Sequence, residues 1–360
     1  MKINGLRGGK VNLTDVSMIL MKDVLSVEDG EEILIITNPG EVFEISLSLF
    51  HAAKKFKARP TIVVQETKGS LDYAERAVIE AIKSEPDIVI SISEQKLGKD
   101  AYGINIGYIG RDHKKYNHIF EKLLRGDKKI RAFWSPGITK EIYLRSVPIN
   151  YTKLRDEATI IAKILKHGKE IHITTEKGTD IMIDIRDRKP LKDDGDFRKA
   201  GNGGNIPAGE VFISPTIGKS EGVIVFDGTL GLGGESIIPE KPVKVYVENG
   251  FVSRIEGGKA AKKLEKAIKD AEKMAIEIGK LEEAKNSWHL GEVGIGLNPK
   301  AQMSGKLLED EKIRKTIHIA IGANYDNDAP ALNHYDCLVW HPTVEVDGER
   351  IMEKGNFTIF

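Results

Sequence analysis

The chain has 360 residues, 40% of them hydrophobic and 30% charged, with 54 Lys+Arg against 54 Asp+Glu. That balance excludes a global basic field for nucleic acid or anionic lipid, and no apolar run approaches the ~20 residues that span a bilayer. The single cysteine, Cys337, excludes an internal disulfide and any Cys-rich zinc site; the opening MKINGLRGGKVNL lacks a signal peptide's apolar core, so a soluble cytoplasmic protein is expected, and the Lys and Glu richness suits a thermophile.

In chain order, ILIIT (33–37) is a short apolar run closed by the turn signal Asn38-Pro39-Gly40. Val42, Phe43, Ser46, Leu47, Phe50, Ala53 and Lys54 then keep helical spacing to about Phe56. TIVV (61–64) predicts a second strand, 71–84 a second helix and DIVISI (87–92) a third strand. Apolar strands joined by helices indicate parallel β-α-β units, hence an open Rossmann-like α/β sheet over residues 1–148. No GxGxxG follows the first strand and NPGEVFE is not a phosphate loop, so no nucleotide is assigned. A scaffold or dimerisation role is the expectation for this part.

Around 136–150 the alternation breaks, and residues 149–360 read as an α+β domain rich in hairpins and glycine. EIHITT (170–175) and DIMIDI (180–185) flank Glu176-Lys177-Gly178-Thr179. VKVYV (243–247) and FVSRI (251–255) flank Asn249-Gly250, and VEV and ERI flank Asp347-Gly348; both dipeptides signal type I′ turns. A long helix is predicted over 259–286, its stripe of Ala260, Leu264, Ala267, Ala271, Met274, Ile278 and Leu281 facing the core.

The chemistry-bearing residues gather late in the chain. GNGGNIPAGEVFISP (201–215) is a Gly-rich segment running into a strand, with Glu210 at the junction. Glu210 is either a solvated strand-edge residue or a carboxylate aimed into a cleft. Glu292 stands among Val293, Ile295 and Leu297, where an unpaired buried carboxylate is costly, so it faces solvent or meets a cation. TIHIAIG (316–322) sets His318 on one face with Thr316 and Ala320, and three isoleucines on the other. In NHYDC (333–337), His334 and Asp336 share a strand face and reach one metal, or else lie on an exposed hairpin edge. Oxygen and nitrogen donors without thiolate are what a hydrolytic metal site needs. If the strands converge, the residues point to a metal-dependent hydrolase.

The ordered set NIPAGEV (205–211), GEVGIGLNPKA (291–301), LEDEK (308–312), IHIAIGANY (317–325) and NHYD (333–336) resembles the thermophilic metallo-aminopeptidases of the aminopeptidase T and aminopeptidase S type, from about Thr174 to the C-terminus. The resemblance implies a dinuclear site in the C-terminal domain, with Glu210, Glu292, His318, Tyr325, His334 and Asp336 around two divalent ions, zinc or cobalt, manganese also being admissible. Tyr335 competes for the tyrosine position. It further implies that Glu292 bridges two ions sharing a hydroxide, that Glu210 shuttles a proton and that Tyr325 stabilises the oxyanion. The substrates would be short peptides with a free N-terminus, and the assembly a homodimer.

Two rivals stand beside it. Ring-cleaving dihydroxypyridine dioxygenases resemble the same C-terminal half and use one Fe(II), for which His334 and Asp336 would supply two ligands. In those enzymes a histidine precedes V-G-I-G-L-N-P, where this chain has Glu292, with His289 nearby. The second rival is a catalytically silent binding protein of the same fold.

Overall fold

The structure, a computed structural model, describes residues 12–69 and 71–360. The opening residues 1–11, on which the signal-peptide expectation rests, lie outside that range. The chain divides into two units, Met1–Tyr151 with Gly195–Ala208, and Thr152–Asp194 with Gly209–Phe360.

The first unit is built on strands β1 (Glu32–Thr37), β2 (Arg59–Val64), β3 (Ile88–Ser93) and β4 (Arg131–Pro136), with a short strand at Gly203–Asn205. All pair in parallel, in the order β2-β1-β3-β4 and then Gly203–Asn205. Every residue of β3 is buried, which the run Ile-Val-Ile-Ser-Ile-Ser allows because both strand faces are apolar or small. The helix Glu41–Lys55 covers the sheet through Val42, Ile45, Leu49, Ala52 and Ala53. Full burial of each large aliphatic side chain of this kind contributes about 1.5–3 kcal/mol. The second helix starts at Arg76, later than the pattern predicts. Ala74 N–H donates instead to the Lys99 carbonyl at 2.9 Å, and Tyr73 bridges Lys99, so the preceding residues follow a loop.

The second unit holds two antiparallel sheets. The eight-stranded one contains the predicted hairpins at Glu170–Thr174 and Asp180–Asp184, Val243–Glu248 and Phe251–Glu256, and Thr343–Val346 and Glu349–Glu353. Asn249 (φ 50°) with Gly250 (φ 76°), and Asp347 (φ 50°) with Gly348 (φ 83°), take the paired positive φ that a type I′ turn requires.

The other sheet contains β5 (Leu191–Asp193), β6 (Glu210–Ile213), β7 (Leu230–Leu232), β8 (Glu235–Ile237), β9 (Leu290–Gly296), β10 (Thr316–Gly322) and β11 (His334–Trp340). Its order is β8-β7-β11-β10-β9-β6-β5. Four of the sequence motifs therefore become neighbouring strands, β6, β9, β10 and β11, of which β6 and β9 are not consecutive in the chain. A mixed α/β fold with a parallel sheet and antiparallel sheets is what stands.

The long helix ends sooner than predicted, at Glu277, and a separate helix runs Leu281–Asn286. Gly279 takes φ 76° and Lys280 N–H turns back to the Ala275 carbonyl at 2.8 Å, a glycine-dependent stop. The buried stripe is Ala261, Leu264, Ile268, Ala271 and Ala275, while Met274, Ile278 and Leu281 are exposed. Early termination releases the last two from any obligation to face the core. Among the described residues no helix is long and apolar enough to cross a membrane.

Candidate metal centre

Strand register assembles the centre. Glu292 of β9 pairs with Ala320 of β10, which pairs with Asp336 of β11. Ala320 is the small residue in this row, so the two carboxylates approach one another across it. One step along, Gly294 pairs with His318, and a Cβ added to Gly294 would lie 2.0 Å from that imidazole. The ring of His318 therefore lies over a glycine, and any side chain at 294 would expel it. On the far side of β9, Glu210 pairs with Gly296.

The side chains converge closely. His318 Nε2 lies 3.0 Å from Glu292 Oε1 and 3.6 Å from Glu210 Oε2. His334 Nε2 lies 3.2 Å from both Glu292 Oε2 and Asp336 Oδ1. His334 Nδ1 donates to the Ala323 carbonyl at 2.8 Å, which fixes the ring and turns Nε2 toward the carboxylates. Two groups able to hold a cation result: Glu210, Glu292 and His318, and Glu292, His334 and Asp336. Glu210 Oε2, Glu292 Oε2 and Asp336 Oδ1 are buried acceptors with no hydrogen-bond partner among the described residues. Buried acceptors left this way are expensive, and a cation at their meeting point removes the cost. On that observation the residues fit a bound metal.

Electrostatics agree. Burial opposes charge on His318, but the hydrogen bond to Glu292 and the fields of Glu210 and Glu292 win, raising its pKa to about 9. His334 is likewise pushed well up against burial, by Asp336 and Glu292. Burial would raise Glu292, yet the hydrogen bond from His318 and the nearby imidazole of His334 hold its carboxyl below the usual range. Asp336 is lowered too, mainly by His334 acting against burial. These carboxylates draw a cation onto the imidazole nitrogens, whether a proton or a metal in its place.

Of the sequence-selected residues, the structure brings together Glu210, Glu292, His318, His334 and Asp336. Tyr325 stands beside them, its ring centroid 5.3 Å from His334 and 4.9 Å from Phe212. It is 48% exposed, so part of the ring remains open. The field of Glu292, then burial and the fields of Asp336 and Glu210, keep its hydroxyl protonated far beyond the ordinary tyrosine range. The competing Tyr335 points elsewhere, its hydroxyl donating to the Ala267 carbonyl at 3.3 Å, because adjacent strand residues face opposite ways. His289 is not in either donor group; its ring packs on Phe251 at 5.3 Å.

Two neighbours were not selected as site residues from the sequence. Lys312, wholly buried, places Nζ 2.6 Å from Glu210 Oε1 and 2.7 Å from Glu311 Oε1, with Asp193 Oδ2 at 3.6 Å. One oxygen of Glu210 is thus committed to an ammonium, while Oε2 faces the cluster. Within the LEDEK motif, Glu309, Asp310 and Lys312 are all fully buried. The second is Phe212, on the same strand face as Glu210 and against Tyr325.

Comparison with known proteins corrects the hydrolase expectation. The family model described as NicX: 2,5-dihydroxypyridine 5,6-dioxygenase matches residues 20–359. A curated 2,5-dihydroxypyridine 5,6-dioxygenase from Pseudomonas putida KT2440 is 24% identical over 195 residues, 53% of this chain and 50% of that protein. The match thus spans about half the length of that relative. The solved structure of 2,5-dihydroxypyridine dioxygenase from Pseudomonas putida KT2440 has a TM-score of 0.71 at 16% identity, covering 98% of this chain and 99% of that one. Wild-type AmpT from Thermus thermophilus has a TM-score of 0.66 at 18% identity, covering 96% and 99%.

At such identities the two structures show a shared fold. The resemblance to aminopeptidase T holds at that level, and its motifs explain why. Their glycines are demanded by packing: a Cβ at Gly296 would lie 2.0 Å from the Ile313 carbonyl oxygen, as one at Gly294 would strike His318. Motifs of this kind report the sheet, whatever reaction it carries. Aminopeptidase, hydrolase and metalloprotease are therefore set aside, with the peptide substrates that accompany them. Two zinc or cobalt ions have no support, and a dinuclear centre is not shown; a cluster able to hold metal stands.

Proposed function

The chain belongs to the 2,5-dihydroxypyridine 5,6-dioxygenase family, and we propose that it is an iron-dependent dioxygenase opening a small dihydroxylated heteroaromatic ring. The observation that carries this reading is one carboxylate, Glu292, set between two imidazoles, His318 at 3.0 Å and His334 at 3.2 Å. Two histidines and a carboxylate form the donor set of non-haem iron oxygenases. A histidine at position 292 is not needed for it, because His318 supplies the second imidazole.

His318, His334 and Glu292 would hold the metal, with Asp336 beside His334. When bound, iron(II) supplies the one-electron chemistry by which O2 reacts with a closed-shell ring. The protein's own groups do the rest. Phe212 and the open part of Tyr325 offer flat apolar surface against which a planar ring stacks. The Tyr325 hydroxyl, kept protonated by its acidic surroundings, donates a hydrogen bond to a ring oxygen. Lys312 keeps Glu210 fixed, so the wall of the site does not move as charge changes.

The test is oxygen uptake with 2,5-dihydroxypyridine after oxygen-free loading with Fe(II), read beside loss of the ring's absorbance. Uptake with iron and none with zinc supports the reading. Protein that holds iron stoichiometrically yet consumes no oxygen with this ring sinks it.

A further inference from the structure

Ring opening of a dihydroxylated substrate has a proton requirement that the donor groups do not meet. A ring hydroxyl gives electron density to an oxidant far better as its anion, so a site working near neutral pH needs a base within reach of that hydroxyl. Glu292, His318, His334 and Asp336 are occupied by one another and by any cation they hold. Tyr325 keeps its own proton. Glu210 gives one oxygen to Lys312, and the other faces His318.

Glu311 is differently placed. It follows the short helix Leu307–Asp310, and its segment is anchored by Asn298 N–H donating to the Lys312 carbonyl at 2.8 Å and Arg314 N–H donating to the Asn298 carbonyl at 3.3 Å. This anchoring sets Glu311 beside the cluster but in neither donor group. Its side chain keeps 13% exposure whereas that of Lys312 has none, so Glu311 is the open end of the ammonium–carboxylate pair.

We propose that Glu311, oriented by Lys312, is the general base that takes the hydroxyl proton from the ring substrate; this rests on the dioxygenase reading above. The ring O–H bond breaks, its electron pair stays on the ring oxygen, and the proton forms an O–H bond on the Glu311 carboxylate. No oxidant is involved in this step. The surroundings tune the carboxyl for it: burial raises its pKa, Lys312 opposes, the charges of Glu210 and Asp336 reinforce and His318 opposes, leaving it at about 7. On its own segment Asp310 turns away, accepting from Thr229 Oγ1 at 2.6 Å and from Ser304 N–H at 2.7 Å.

The experiment uses iron-loaded protein and Glu311→Gln, with iron content and melting temperature measured for both. Under oxygen-free conditions, 2,5-dihydroxypyridine bound to the native protein at about pH 7 should show the absorbance of the ring anion, and in Glu311→Gln that of the neutral ring. With oxygen, kcat should fall roughly 100-fold or more in Glu311→Gln while iron content is unchanged, and Glu311→Asp should recover part of it. An unchanged anion spectrum and kcat in Glu311→Gln overturns the proposal and leaves the dioxygenase intact. Loss of iron in that variant overturns it as well, in favour of a metal-holding role. If the native protein neither binds the ring nor consumes oxygen, the dioxygenase reading falls, and the proposal falls with it. Should Glu311→Gln not fold, the native pH profile decides. An acid limb in kcat/KM near pH 7 is expected, and a profile flat from about pH 5 to 8 overturns the assignment.

Discussion

Strand β3 of the first unit and strand β9 of the second are both buried at every residue, yet β3 carries only Ile, Val and Ser while β9 carries Glu292. In β3 the burial itself is the stabilising term, since both faces are apolar or small. In β9 a carboxylate is buried because two imidazoles stand at 3.0 and 3.2 Å from it. Equal burial therefore has two meanings. Removing a side chain from β3 should cost stability and spare the metal, whereas removing the Glu292 carboxylate from β9 should cost the metal.

The sharpest break is Glu292→Gln. It takes the shared carboxylate from both donor groups, so iron affinity should fall by more than about 100-fold and oxygen uptake to background. Titration of the apo protein with Fe(II) checks it, and retained stoichiometric iron would contradict the assignment. Next is Ile90→Ala in β3, where a fully buried side chain is truncated. The loss should be about 2–5 kcal/mol in urea unfolding with iron binding unchanged. A shift in iron affinity there would erase the contrast.

Gly294→Ala lies between the two behaviours. Its Cβ would lie 2.0 Å from the His318 ring, so both stability and metal should suffer, the first by about 1–3 kcal/mol. Denaturant midpoint and iron content, measured on one preparation, separate the two effects. The last effect appears only as pH changes, and it sharpens the contrast within one sheet neighbourhood. His289 is buried with neither ring nitrogen hydrogen-bonded among the described residues, and burial lowers its pKa to about 4. With the unfolded value at 6.5, its contribution is present above pH 6.5 and is lost as pH falls toward 4, at up to about 1.4 kcal/mol per unit. His318, raised to about 9, has the opposite sign in metal-free protein: its contribution is full below pH 6.5 and is lost as pH rises through 9. His289→Leu should flatten the acid side of the stability profile and leave the alkaline side as it is. An unaltered acid slope would refute the account.

Much of the local structure was legible. ILIIT and DIVISI announced β1 and β3 because both-face burial demands unbroken apolar runs, and Asn249-Gly250 and Asp347-Gly348 announced hairpins because their turns need positive φ at both residues. The start of the helix at Arg76 was not legible, since a hydrogen bond from Ala74 to Lys99 decides it. Within the site, the donor residue types and the shared face of His334 and Asp336 were legible from period-two geometry. Lys312 was not, because nothing near it in the chain distinguishes an ammonium bound for the interior from one in solvent.

The sequence by itself determined what depends on neighbours in the chain: where strands run, where turns close, and which side chains able to donate to a metal the protein owns. Tertiary structure decided which of them meet. Glu210 finds Lys312 across 102 positions of sequence and His318 finds Glu292 across 26. A buried charge is tolerated only where its partner arrives, and arrival is set by the pairing of β6, β9, β10 and β11, which no local pattern encodes.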